Sequence, residues 1–103
     1  MYTPIQLEKM RNLCYGMRAI SKIEKALNKN MSKLDFNDMS MDDAAIVIWA
    51  GLSHEDKDLT PDKVMDLIDE HSNFNKVMEI VAEAFEDAFS DDEDKGAKDN
   101  EKN

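Results

Sequence analysis

The chain has 103 residues, 42% apolar and 35% charged, and carries 23 Asp+Glu against 13 Lys+Arg for a net charge of −10. That is enough for one small domain with a single core, and its acidity argues against a nucleic-acid partner, whose affinity comes largely from Lys and Arg neutralising phosphates. The longest apolar run, residues 44–50, is far short of the roughly 20 residues that cross a bilayer, so no membrane span is expected. The opening "MYTPIQLEKMRN" has no signal-peptide core, which predicts a cytosolic protein. Cys14, the single cysteine, cannot close an internal disulfide and reads as a small core hydrophobe.

Charge is distributed unevenly. Residues 1–33 hold seven bases and two acids, +5, which leaves −15 for the rest. Such polarity can orient a partner or a second copy of the chain.

In chain order, Ile5 and Leu7, a polar break over residues 8–12, and Leu13 and Tyr15 before Gly16 predict a β-hairpin. The break has no Asn-Gly or Asp-Gly pair, so a long connection is expected. From Met17 the period becomes helical, with Met17, Ile20, Ile23 and Leu27 on one stripe and Arg18, Lys22, Lys25 and Lys29 flanking it. Residues 28–39 lose that period, and Met31, Leu34 and Phe36 are expected to fold back over the core. Ser40 is a good N-cap for a second helix, with Asp43 favouring its N-terminus. That helix is apolar nearly all round and therefore central, with Ala44, Ala45 and Ile48 inward and Trp49 and Leu52 alongside. It ends near residues 51–54.

Thr60 and Pro61 suit the cap and first position of a third helix, over residues 61–70, with Val64, Leu67 and Ile68 buried. A fourth helix follows over residues 74–89, with Phe74, Val77, Met78, Val81, Phe85, Ala88 and Phe89 on one face. Residues 90–103 contain no large apolar side chain and are expected to form a disordered acidic tail. The predicted fold is thus mostly α: a four-helix small domain, residues 1–89, with a short N-terminal β-hairpin and that C-terminal tail.

Little in the sequence suggests catalysis. Asp56, Asp58 and Thr60 match the first three odd positions of a calcium loop, but Pro61 stands where glycine is needed and Leu67 where a bidentate glutamate is needed. The zinc-protease pattern begun by His54-Glu55 ends at Asp58, where a second histidine is required. His54 and His71 read as helix-end residues serving C-terminal carbonyls. A metal-dependent hydrolase built on Glu55, Asp56 and Asp58 is the remaining enzymatic alternative, and the expectation is a non-enzyme without cofactor or metal. Eight methionines suit an adaptable binding surface. Met17, Met41 and Met78 fall on inferred buried stripes, whereas Met10, Met39 and Met65 are expected to be exposed.

The segment "RNLCYGMRAISKIEKAL" (residues 11–27), followed by "MSKLDFNDMSMDDAAIVIWAGLSHEDKDLTPDKVMDLIDE", resembles the tail assembly chaperones of long-tailed bacteriophages, especially those infecting Gram-positive hosts. The likeness covers about residues 4–89 and lies in three stretches: "AISKIEKAL", "WAGLSHED" and "LTPDKVMDLID". None of them is a catalytic signature. The resemblance implies a factor made in the infected cell's cytoplasm and absent from the finished virion. It would coat and solubilise the tape measure protein and recruit tail tube subunits during tail morphogenesis. It also implies a frameshifted longer product of the same gene. Glu101-Lys102-Asn103 can be encoded GAA AAA AAY, which contains a favourable −1 slip heptamer. The alternative is a structural virion component such as a tail completion or connector protein.

For client contacts the sequence nominates Trp49, Leu52 and Met65 as apolar anchors, with Arg11, Arg18 and Lys22 guiding acidic regions of the client. A homo-oligomer, through strand edges or through opposite charges, is left open.

Overall fold

A computed structural model describes residues 2–90. The chain is mostly helical, with a two-stranded antiparallel hairpin at its start. Strands β1 (Thr3–Gln6) and β2 (Met10–Leu13) pair Thr3 with Leu13 and Gln6 with Met10. Their connection is only residues 7–9, shorter than expected, because Leu7 is buried in the turn instead of ending a strand. Four helices follow: α1 (Met17–Leu27), α2 (Met41–Leu52), α3 (Pro61–His71) and α4 (Phe74–Ser90). The fourth runs one residue past its expected end. The tail from residue 91, with the slip site at residues 101–103, lies outside the described residues.

The caps are those the sequence supplies. Ser40 Oγ accepts the Asp43 N–H at 3.1 Å and Thr60 Oγ1 accepts the Lys63 N–H at 3.2 Å, each satisfying a donor that the first helical turn leaves unpaired. Helix α1 stops at Asn28, which adopts a left-handed conformation (φ 57°) that asparagine tolerates better than most residues. Beyond it the chain folds back in two short 3-10 turns, Met31–Lys33 and Phe36–Asp38. This brings Met31, Leu34 and Phe36, all half-buried, onto the core. Glu24 Oε2 fixes the return by accepting the Met31 N–H at 3.0 Å.

Helix α2 is the centre, and α1, α3 and β2 pack around it, while β1 lies against α4. Seven of its residues are buried, Leu52 among them. The tightest approach is at Gly51. A β-carbon there would sit 2.6 Å from Tyr15 Cζ and 2.9 Å from Leu13 Cδ2. The Tyr15 ring cannot swing away, because it is buried and its hydroxyl donates to the Val47 carbonyl at 2.8 Å. Burial also pushes the phenol's pKa well above its ordinary value.

Gly51→Ala therefore sets two effects against each other. Alanine gains about 1 kcal/mol of helix propensity, whereas overpacking a close-packed contact costs about 1–3 kcal/mol. The expected result is a lower melting temperature. A variant melting at or above the parent would show that the Tyr15 contact yields.

Candidate binding surface

The structure separates the six residues nominated for client contact. Leu52 is fully buried and touches no surface. The apolar character of α2 all round leaves it no exposed side, so the expectation of a surface anchor is corrected. Arg11 is corrected too: it is only 4% exposed and already paired. Its place in β2, two residues before the buried Leu13, puts both on the inward face.

Arg11 is the hub of a polar cluster that joins the hairpin to the α2–α3 connection. Its Nε donates to Glu8 Oε1 at 3.0 Å, its Nη2 pairs with Glu8 Oε2, and its Nη1 lies 3.6 Å from Asp56. Next to it, Asn12 gives its backbone N–H and its amide to the two oxygens of Glu55, at 3.1 and 3.0 Å. The Asn12 carbonyl receives His54 Nε2 at 2.8 Å, and that imidazole stacks on Tyr2. His54 thus serves a strand carbonyl, where the sequence suggested a helix end. His71 is the last residue of α3 and lies 3.6 Å from Glu70. Since Asn12 pairs with Pro4, which has no N–H, its own backbone groups face outward. Glu55 and His54 occupy them, which blunts one strand edge against association.

Two of the acids that suggested a metal site, Glu55 and Asp56, are used within the chain. Glu55 holds Asn12, and Asp56 accepts the Asp58 N–H at 3.0 Å and faces Arg11. Among the described residues no group of three or more His, Cys, Asp or Glu is placed to hold a metal ion. None of their helices is long and apolar enough to cross a membrane.

Two nominated residues do meet. Trp49 is half-buried, donates from Nε1 to the Leu59 carbonyl at 3.0 Å, and lies beneath Lys22 Nζ at 5.2 Å from the ring centroid. Lys22 also donates to Ser53 Oγ at 2.9 Å. Both residues hold α1, α2 and the following connection together. Arg18 is exposed on α1, on the same stripe as Lys22.

Met65 lies elsewhere, half-buried in an open groove of about 210 Å³ between α2, α3 and the start of α4. Ala44, Ala45 and Ile48 form its floor, and Met41 and Phe74 stand at its sides. Two adjacent alanines leave the space that larger side chains would fill. Met41, expected to be buried, is 61% exposed. It has the phase of the buried stripe, but it is the first residue of α2 and projects past the helices that cover the others. Met10 is exposed as expected, whereas Met39 is half-buried against the core. The sequence signal for the groove was present in Met41 and Met65 together, flanking paired alanines.

No protein-family model, curated protein or solved structure matches the chain.

The Arg11 cluster gives the domain a pH signature. Hydrogen bonding to Arg11 holds the Glu8 carboxyl at about 2, below its ordinary 4.5, and the Asn12 amide likewise lowers Glu55. A depressed carboxyl stabilises the fold fully above its unfolded value and loses that contribution as pH falls through the folded one. Stability should therefore decline between 4.5 and about 2. Glu8→Gln should flatten that decline, by no more than about 1 kcal/mol because water screens the pair. Urea midpoints across this range provide the measurement, and identical slopes for both proteins would remove Glu8 from the account.

Proposed function

We propose that the chain is a tail assembly chaperone of a long-tailed bacteriophage, a non-enzymatic factor that binds and solubilises the tape measure protein and recruits tail tube subunits. The stretches over residues 19–27, 49–56 and 59–69 supply the family likeness. The observation that carries the binding role is the α2–α3 groove, an open apolar surface edged by Met41, Met65 and Phe74 on a strongly acidic chain. Methionine's unbranched, polarizable side chain adapts to varied apolar contours, which suits a client presenting many non-identical helical turns. The surrounding acidity would keep the loaded complex dispersed.

The test is co-expression with the large open reading frame expected downstream to encode the tape measure protein. A soluble co-purifying complex is the expected result. The Met41→Ser, Met65→Ser double variant should weaken it about thirtyfold, since each lost apolar contact amounts to roughly 1 kcal/mol. Undiminished recovery would place the client on another surface. Detection of the chain by mass spectrometry in purified virions would favour a virion component instead.

A further inference from the structure

A second apolar surface, between α1 and the end of α4, shares no lining residue with the α2–α3 groove. Phe89 stands between two adjoining hollows, one of about 420 Å³ bounded by Met17 and Ile20, the other of about 290 Å³ bounded by Met31 and Phe36. Met17 is 91% exposed and Phe89 50%. The sequence placed both on buried stripes. Met17 lies six residues before the fully buried Ile23, which turns it about 120° away around the helix.

The base of this surface is a packed aromatic cluster. Phe89 packs on Phe85 at 5.6 Å between ring centroids, and Phe85 is held between Tyr15 at 4.2 Å and Phe36 at 5.0 Å. An anchor fixed in advance loses little side-chain freedom when a partner docks.

On its α1 side the surrounding charge is opposite to that of the whole chain. Residues 17–33 contain five bases and one acid, in a protein of net charge −10. Arg18 and Lys25 are exposed and lie seven residues apart on one stripe of α1, and the exposed Lys29 follows just beyond the end of the helix. Lys25 and Lys29 also line a further hollow that continues from the same helix. The single acid, Glu24, is engaged by the Met31 backbone N–H. A ligand for this surface needs apolar side chains on one strip and negative charge along the next.

We propose that the Met17–Phe89 surface binds an amphipathic acidic helix of a partner protein, with its apolar stripe on Met17 and Phe89 and its carboxylates facing Arg18, Lys25 and Lys29. The assignment deepens the chaperone reading by giving the client segment its chemistry, and it rests on that reading only for the client's identity. A helix fits better than an anionic membrane. The apolar contacts are hollows that receive a ridge, which a flat plane of headgroups would only bridge over, and the exposed Asp87 on the α4 side turns the carboxylates of a docked helix toward the bases of the α1 side.

The test uses the full chain and fluorescence anisotropy with three labelled synthetic peptides: one with leucines at helical spacing flanked by glutamates, the same peptide with lysine for each glutamate, and the glutamate peptide with serine for each leucine. The first should bind, and the other two should bind at least about tenfold more weakly. Salt should weaken the first by screening. The Met17→Ser, Phe89→Ser and Lys25→Glu, Lys29→Glu double variants should each lower its affinity about tenfold; the lysine pair and the single Met17→Ser variant, whose side chains are exposed, should melt as the parent does, while Phe89→Ser lowers melting modestly through its lost contact with Phe85.

Equal binding of the lysine peptide, or unchanged affinity in both variants, would overturn the proposal. So would binding to phosphatidylserine vesicles in place of the peptide, or a concentration-dependent dimer abolished by the Met17→Ser, Phe89→Ser pair. Peptide binding seen only once Asp91, Asp92, Glu93 and Asp94 are made amides would reassign the surface to the chain's own acidic segment. A chain that still co-purifies the tape measure protein while ignoring the peptide would sink this assignment alone and leave the chaperone reading standing.

Discussion

The fold turns on a contact that only glycine permits. Tyr15 occupies the space where a β-carbon of residue 51 would be, and its hydroxyl takes the Val47 carbonyl one turn earlier in α2. That carbonyl already accepts the helical N–H of residue 51, so the phenol uses its second lone pair and the helix loses nothing. The adjacent Cys14 N–H reaches the Gly51 carbonyl at 2.9 Å. The end of the hairpin is thereby pinned to α2 by a ring, a hydroxyl and a backbone bond within two residues. With β2 fixed there, β1 is left facing α4, and the two-stranded sheet becomes the wedge between α2 and α4.

What the sequence made legible is what local chemistry decides. Ser40, Thr60 and Pro61 mark helix starts because the donors they satisfy lie within three residues. The helical stripes of α3 and α4 follow from period alone. The polar hub did not, since Arg11 finds Asp56 across 45 positions of chain, and nothing local announces such a pairing. Its burial was nonetheless readable from strand alternation with Leu13. Met17 shows the other kind of miss. Counting it with Ile20 treated an apolar residue near a stripe as part of it, when its angle around the helix sets it outside.

The same distinction separates the nominated surface residues. Trp49 and Lys22 looked like binding groups because a lone tryptophan near a cation often is one. In the fold they satisfy each other and the Leu59 carbonyl, which makes them a joint between helices. Exposure fell instead to methionines and to one phenylalanine at helix ends, Met41 and Phe89 where a stripe of correct phase outruns its cover and Met17 where it lies beside the stripe.

Charge polarity then acquires a structural meaning. The bases of α1 recur on one stripe, but Lys22 in its middle is already engaged by Ser53 and the Trp49 ring. Arg18, Lys25 and Lys29 remain on the outer side. A guiding charge works best at the rim of an apolar contact, where it steers encounter without being desolvated. The exposed acids of α3, Asp62 and Asp66 among them, lie on other parts of the surface, so an acidic partner approaching from that side meets repulsion. Exposed bases gather most densely along α1 and just beyond its end, next to the Met17 and Phe89 side chains that would complete the contact, and a weakly complementary helix would be selected as much by where it is repelled as by where it binds.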